Sequence, residues 1–300
     1  MRTNKVATSK GDRIYYTICY VVTVILLITV LYPLVFIVSS SFSSASAVST
    51  GKVILFPVEF STLSYRTVFK YKDIYTGYMN SLFYTVTGTL INVVVTLCCA
   101  YPLSRKDFQG RKVLTKMFTF CMIFSGGMIP SYLNMSNLHL LNTRWALLLP
   151  GAMSVYNMIV TRTFIQNSIP PELLEASQID GCSDAKYFFK VVLPLSMPVI
   201  SVISLYYAVG HWNSYFHAFL YLQDKALYPL QLFLREVLVQ SNFDASMMYA
   251  DGSEVIEQRQ GLQELIKYST IVVSTVPLLI LYPFVSKFFA KGVMIGSVKG

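Results

Sequence analysis

The sequence predicts an all-α polytopic membrane protein of six transmembrane helices with both termini cytoplasmic, and three observations carry that expectation. The 300 residues are 54% hydrophobic and only 13% charged, whereas a soluble domain carries charge on roughly 25% of its residues. The apolar residues gather into six stretches, each close to the roughly 20 helical residues needed to cross about 30 Å of hydrocarbon. None of the stretches shows the polar/apolar alternation that a membrane β-barrel strand of about ten residues requires.

The first stretch runs from about Ile14 to Phe42, the second from Tyr78 to Leu103 and the third from Val113 to about Leu133. The fourth spans roughly Trp145 to Ile165, the fifth Leu195 to Leu222 and the sixth Tyr268 to Phe289. An N-terminal secretory signal is the competing reading of the first, since a basic start, an apolar run and Ala45-Ser46-Ala47 resemble one. Its apolar run is too long for a signal core of roughly 7 to 15 residues, so an uncleaved helix is expected.

Lys and Arg stay on the cytoplasmic side of short loops, so Arg2, Lys5, Lys10 and Arg13 predict an inside N-terminus. An even number of spans returns the C-terminus inside. Fifteen of the 24 basic residues then fall inside, together with Asp12, Asp107, Glu172, Glu175, Asp180 and Asp184, and nine acids lie outside. The net charge of +9 is thereby sorted by membrane side and calls for no nucleic-acid partner. The chain reads as one transmembrane domain over 1–300, with a permease core at about 76–290, external loops at about 43–77 and 223–267, and a cytoplasmic loop at about 168–194. Apart from the Ser-rich run Ser39 to Ser46 there is no low-complexity tract.

Cys19, Cys98, Cys99, Cys121 and Cys182 lack metal-ligand spacing and read as small core residues, so no metal site is expected. The spans hold no acidic residue, which disfavours an ion-coupled carrier, because such carriers bind or relay their ion through intramembrane ionisable groups. His211 and His217 are the ionisable side chains well inside a span, and a packing role is the plainer reading of the pair. There is no Ser-His-Asp or His-Glu-x-x-His arrangement and no phosphate-binding Gly-x-x-x-x-Gly-Lys loop, so no catalytic residue is assigned. Energy for uphill transport must therefore arrive through another protein.

The long polar segment between the fourth and fifth spans, Ser168 to Lys190, has legible local chemistry. Pro171 suits the first position of a helix, Glu172 and Glu175 favour the positive end of its dipole, and Gly181 suits the left-handed residue that ends it. A second turn over Ser183 to Val191 follows, and Pro194 marks the entry to span five. Physics alone does not choose between a protein-docking knob and an amphipathic loop lying on lipid headgroups.

Within this segment, Glu175-Ala176-Ser177, then Asp180-Gly181, Phe188 and Leu193-Pro194, resemble the EAA loop of ABC importer permeases, with Ser177 replacing the second Ala. Asn80-Ser81, Gly126-Gly127-Met128-Ile129-Pro130, Trp212-Asn213 and Lys299-Gly300 extend the likeness over nearly the whole chain. Together they resemble the MalG-like carbohydrate permeases of binding-protein-dependent importers, and within them the LplC-like group linked to complex oligosaccharides. The resemblance implies a type I importer fold in the bacterial cell membrane, a second homologous permease, two ABC ATPase subunits and an extracytoplasmic solute-binding protein delivering a carbohydrate. ATP and Mg would belong to the partner ATPase, and this chain would bind no cofactor. By carry-over, Glu175, Ala176, Ser177, Asp180, Gly181, Phe188 and Pro194 would couple to that ATPase.

Sugars offer hydroxyls to amides and apolar C–H faces to rings, so Asn80, Asn157, His211, Trp212, Asn213 and Tyr215 are candidates for the substrate path. For each the competing reading is a helix–helix hydrogen bond, worth about 0.6 kcal/mol on average. A membrane scaffold without transport is the alternative for the whole chain, and the retained EAA pattern argues against it.

Overall fold

In the computed structural model, the described residues are 9–70, 72–237, 239 and 264–280. They are helical or irregular, with no strand among them. The helices are α1 (Lys10–Ser41), α2 (Ala45–Ser49), α3 (Leu63–Val68), α4 (Lys72–Ser104), α5 (Arg111–Ile123), α6 (Met128–Asn137) and α7 (Trp145–Leu148). They continue as α8 (Val155–Ser168), α9 (Pro171–Ile179), α10 (Asp184–Tyr187), α11 (Leu193–Leu195), α12 (Met197–Trp212) and α13 (Phe216–Tyr221). A π-helical turn, Phe188–Val192, joins α10 to α11, and α14 (230–237) and α15 (264–280) complete the described chain. Contacts divide it into two compact units, one holding residues up to Lys70, 237, 239 and 264–273, the other holding 72–236 and 274–280.

In the first unit, α1 exposes its apolar side chains all round from Ile14 to Val35, and its buried residues are Ser39, Ser40 and Ser41. A helix apolar on every face needs an apolar surround. Three of its hydroxyls are met within it: Thr17, Thr23 and Thr29 donate to the carbonyls of Arg13, Cys19 and Ile25 at 2.7–2.8 Å. The Ser-rich run is ordered by side-chain bonds. Ser39 Oγ donates to Leu55 O at 2.6 Å, Ser64 Oγ donates to Ser41 O at 3.0 Å, and Ser41 Oγ lies 2.8 Å from Tyr65 OH. Phe42 stacks on Phe60 with centroids 5.7 Å apart.

The second unit is built around α4. Its buried residues, Gly77, Asn80, Ser81, Tyr84, Thr85, Gly88, Asn92, Thr96, Leu97, Ala100 and Leu103, recur every three or four positions and are mostly small or polar. Such a stripe lets helix backbones approach and bond in hydrocarbon. It packs chiefly on α12 and α8. Near its start, Asn80 Nδ2 donates to Ala226 O at 2.7 Å and Tyr228 O at 3.1 Å, and Tyr84 OH donates to Leu227 O at 2.9 Å. Arg144 Nη2 approaches Asn80 Oδ1 at 3.3 Å.

Three expected spans are interrupted. The third is two helices, α5 and α6, bent by 113°; the break holds Gly127, whose φ of +87° takes the chain out of helical conformation. The fourth is divided between α7 and α8 at Pro150-Gly151, where a proline removes a helical N–H. The fifth starts at Met197 after a 77° bend from the segment Asp184–Leu195, and breaks again between Trp212 and Phe216. Among the described residues, two helices, α1 and α4, are long and apolar enough to cross a membrane, or up to four spans if each bent pair counts as one. The sixth expected span lies on α15 as far as residue 280; the rest of it, most of the loop 223–267 and Lys299-Gly300 lie outside the described residues.

Truncating Asn80 strands two carbonyls, and leaving buried polar groups unpaired costs roughly 1–3 kcal/mol each. Asn80→Ala should therefore lower the thermal unfolding temperature of the detergent-purified protein, as should Asn80→Asp, whose ionised carboxylate can donate to neither carbonyl.

Candidate functional site

The segment after α8 folds as two short helices about a tight turn. Helix α8 stops at Ile169 because Pro170 and Pro171 follow, and Pro171 opens α9 where its missing N–H is harmless. At the far end, Gly181 N donates to Gln178 O at 3.1 Å and Cys182 N to Ser177 O at 2.9 Å, the paired bonds of a Schellman cap. Gly181 has φ +66°, and a β-carbon at that position would meet nothing within 4 Å, so glycine is favoured there by conformation and not by space. Ser177 turns its hydroxyl back onto Leu174 O at 2.7 Å, which explains how serine replaces alanine without exposing a free polar group. Ser183 caps α10, its Oγ accepting from Lys186 N.

The inner face of this knob is anchored and its outer face is free. Tyr187 packs with Ile165, Ile169 and Val192 in a buried cluster flanked by Tyr101, Leu174 and Phe188. The rings of Phe188 and Tyr101 lie 5.0 Å apart. Ala176, Asp180 and Gly181 stand outward and exposed; Glu175 is exposed as well but borders the space beneath the knob, Ser177 is half-buried, and Pro194 is exposed beyond the π turn. Ile179, 87% exposed, is the most exposed large apolar side chain among the described residues. The sequence reading did not single it out, although its place between Ala176 and Gly181 was a usable signal.

A cavity of about 540 Å³ lies beneath the knob, lined by residues including Arg105, Arg111, Gln166, Glu175 and Tyr187. A second, of about 350 Å³, lies among α4, α12 and the break before α8. Its lining includes Asn92, Tyr206, Tyr207, His211, Ser214 and His217 and, among the described residues, no acidic one. Around it a polar network crosses three elements. His211 Nε2 lies 2.8 Å from Asn92 Oδ1, Asn92 Nδ2 donates to Gly151 O, Thr96 Oγ1 lies 2.7 Å from Tyr207 OH, and Ser154 N donates to Tyr207 OH at 3.0 Å. Gly88 admits the imidazole: a β-carbon there would overlap the His211 ring.

Of the six path candidates, His211 lines this cavity. Asn80 is occupied by the carbonyls near Tyr228, and Asn157 is buried on α8. Trp212 is 3% exposed, donates to Ser274 O at 3.2 Å and packs 6.2 Å from the ring of Tyr78. Asn213 and Tyr215 are exposed in the break between α12 and α13. The structure adds Asn92, Thr96 and Gly88, whose common signal was the four-residue spacing of small and polar residues along one apolar helix.

The sequence matches, over residues 5–295, the family described as binding-protein-dependent transport system inner membrane component. It is 42% identical over 289 residues to the polygalacturonan/rhamnogalacturonan transport system permease protein YtcP of Bacillus subtilis, covering 96% of this chain and 99% of that one. It is 41% identical over 273 residues to protein LplC of the same organism, covering 91% and 90%. The fold is similar to a chain in the crystal structure of a bacterial ABC transporter involved in import of the acidic polysaccharide alginate, with TM-score 0.84, 33% identity, and coverage of 95% of this chain and 100% of that one. With residues 5–295 matched and relatives of 41–42% identity covered over nearly their whole length, the chain belongs to the family of binding-protein-dependent transport system inner membrane components.

Proposed function

We propose that this chain is one of two permeases in an ATP-driven importer and forms, with a second homologous permease, the membrane path for an oligosaccharide. The likeness to carbohydrate permeases over almost the whole chain carries the reading. The relatives are named for polygalacturonan/rhamnogalacturonan transport and for alginate import, so an oligosaccharide derived from a complex polysaccharide is the substrate class. Two ATPase subunits and an extracytoplasmic solute-binding protein complete the assembly. Six spans with both termini inside fit the distribution of basic residues, and the two bent helix pairs would then be broken spans lining a path.

The knob α9–Gly181–α10 would be the ATPase contact. Its exposed Glu175, Ala176, Ile179 and Asp180 supply charge, a small surface and an apolar anchor, while the inner cluster around Tyr187 fixes it to α8. Drawing two such knobs together on ATP binding would bias the spans between inward-open and outward-open states, which demands that the nucleotide-bound assembly prefer one of them. The 350 Å³ cavity falls within the roughly 300–1,000 Å³ typical of small-molecule sites. Tyr206 and Tyr207 would offer rings to sugar faces, and His211, Asn92 and Ser214 would offer hydrogen bonds to its hydroxyls.

Purification of tagged protein from native membranes in mild detergent, followed by mass spectrometry, should recover a second permease, an ATPase and a solute-binding protein; a preparation holding the permeases alone would overturn the importer reading. Gly181→Pro forces φ near −65° on a left-handed residue and removes its bond to Gln178 O. That variant should insert normally yet lose the ATPase from the pull-down, whereas Gly181→Asn should retain it. Gly88→Val should evict His211 from Asn92 and keep the ATPase, while uptake of the sugar eluted from the co-purified binding protein falls about tenfold, equivalent to about 1.4 kcal/mol.

A further inference from the structure

The C-terminal end of α4 gathers bonds from both ends of the knob. A helix leaves its last carbonyls without intrahelical partners, and here they are taken up by neighbouring elements. Arg162 Nε on α8 donates to Leu103 O at 2.9 Å, Gln166 Nε2 on α8 donates to Ser104 O at 3.0 Å, and Arg111 Nη1 on α5 donates to Arg105 O at 3.3 Å. Helix α8 runs into α9 across Ile169 and Pro170, so these bonds hold the entry side of the knob.

Arg105 holds its exit side. Its guanidinium is 13% exposed and forks: Nε donates to Asp107 Oδ1 at 2.9 Å, Nη2 donates to Asp107 Oδ2, and Nη1 donates to Asp184 Oδ1, in the first turn of α10. Tyr101, one turn earlier on α4, accepts from Nη1 at 3.2 Å and packs its ring on Phe188. The hydrogen bonds from Arg105 hold the Asp107 carboxyl below its ordinary range, so that carboxylate stays charged beside the guanidinium. Asp107 orients the guanidinium within its own loop, and Asp184 is the member of the pair that belongs to the knob.

We infer that Arg105 is a positioning residue that locks α10 to the end of α4, so that movement of the knob is delivered to α4 and through it to the polar cavity. The far end of that connection is the contact of α4 with α12 through Thr96–Tyr207 and Asn92–His211. The inference rests on the knob being the ATPase contact. Lysine could not replace arginine here, since a single ammonium lacks the planar fork that serves two carboxylates at once. Asp184 is 71% exposed, and an exposed ion pair is a weak link; its removal should raise the disengaged population of α10 by no more than about fivefold.

Hydrogen exchange read by mass spectrometry on the whole permease–ATPase complex in lipid nanodiscs tests this, with and without a non-hydrolysable ATP analogue. In the unaltered complex the analogue should change exchange both on the knob (171–187) and around the cavity (207–214). In Asp184→Asn, whose side chain is isosteric and exposed, the change on α9 should persist while that at 207–214 shrinks, by no more than about twofold for so weak a pair, and Asp184→Glu should restore it. Adding Asp184→Asn to Arg105→Lys should do no further harm, since both cut one connection. A role in folding alone would raise exchange equally in both nucleotide states and leave the nucleotide-dependent difference intact, which overturns the inference, as does undiminished transmission in Asp184→Asn. If the analogue changes nothing on α9 in the unaltered complex, the ATPase contact itself is misassigned and the lock falls with it.

Discussion

Everything in the larger unit depends on how α4 satisfies polar groups along a helix immersed among apolar surfaces. Away from water, a hydroxyl or amide on that helix is costly unless it finds a partner inside the protein, and the buried Thr85 and Thr89 hydroxyls are exceptions that find none. Asn80 and Tyr84 bind the carbonyls of 226–228, Asn92 and Thr96 bind the elements around the cavity, and the terminal carbonyls bind α8 and α5. Because these partners come from segments far apart in sequence, the same bonds that settle the polar groups fix where α8, α12 and the 225–228 turn stand. Small residues between them, above all Gly88, set how near the partners come.

This arrangement explains why polar residues in a transport helix serve two ends. An interhelical hydrogen bond in a membrane contributes little on its own, about 0.6 kcal/mol. A path that must open and close cannot be held by strong, irreplaceable bonds, and a ladder of weak ones allows helices to exchange partners while leaving few groups stranded. His211 shows the principle: its ring is gripped by Asn92 on one side and fitted over Gly88 on the other, yet it borders a cavity large enough for a ligand to compete for the same donors.

The helical class was legible from composition and from the length of the apolar stretches, and the knob was legible residue by residue. Pro171, Gly181 and Ser183 act through local backbone geometry, which a sequence displays directly, and each stands where its chemistry demands. The interruptions were harder to see. Hydropathy averages over a window, so the bend at Gly127 and the break at Pro150-Gly151 vanish into otherwise apolar runs. Side-chain partners were least visible, because nothing in the local sequence tells that Trp212 meets Ser274 or that Asn80 meets Tyr228, pairs separated by long stretches of chain.

The contrast between the two faces of the knob follows from the same distinction. Its inner face uses aromatic packing and buried apolar contacts, which are short-ranged and hold α9 and α10 to α8 whatever lies outside. Its outer face presents Ile179 and the Asp180 carboxylate to solvent, an arrangement that costs stability in the isolated chain because apolar area stays wet. Exposed apolar surface beside fixed charge is retained where a partner removes it from water, and the rigid inner face then becomes useful: a force applied at Ile179 meets a packed body and not a flexible loop. A loop lying on lipid headgroups would need its apolar residues along one continuous face. Here Tyr187 and Leu174 turn inward while Ile179 turns out, and that division favours a docking knob.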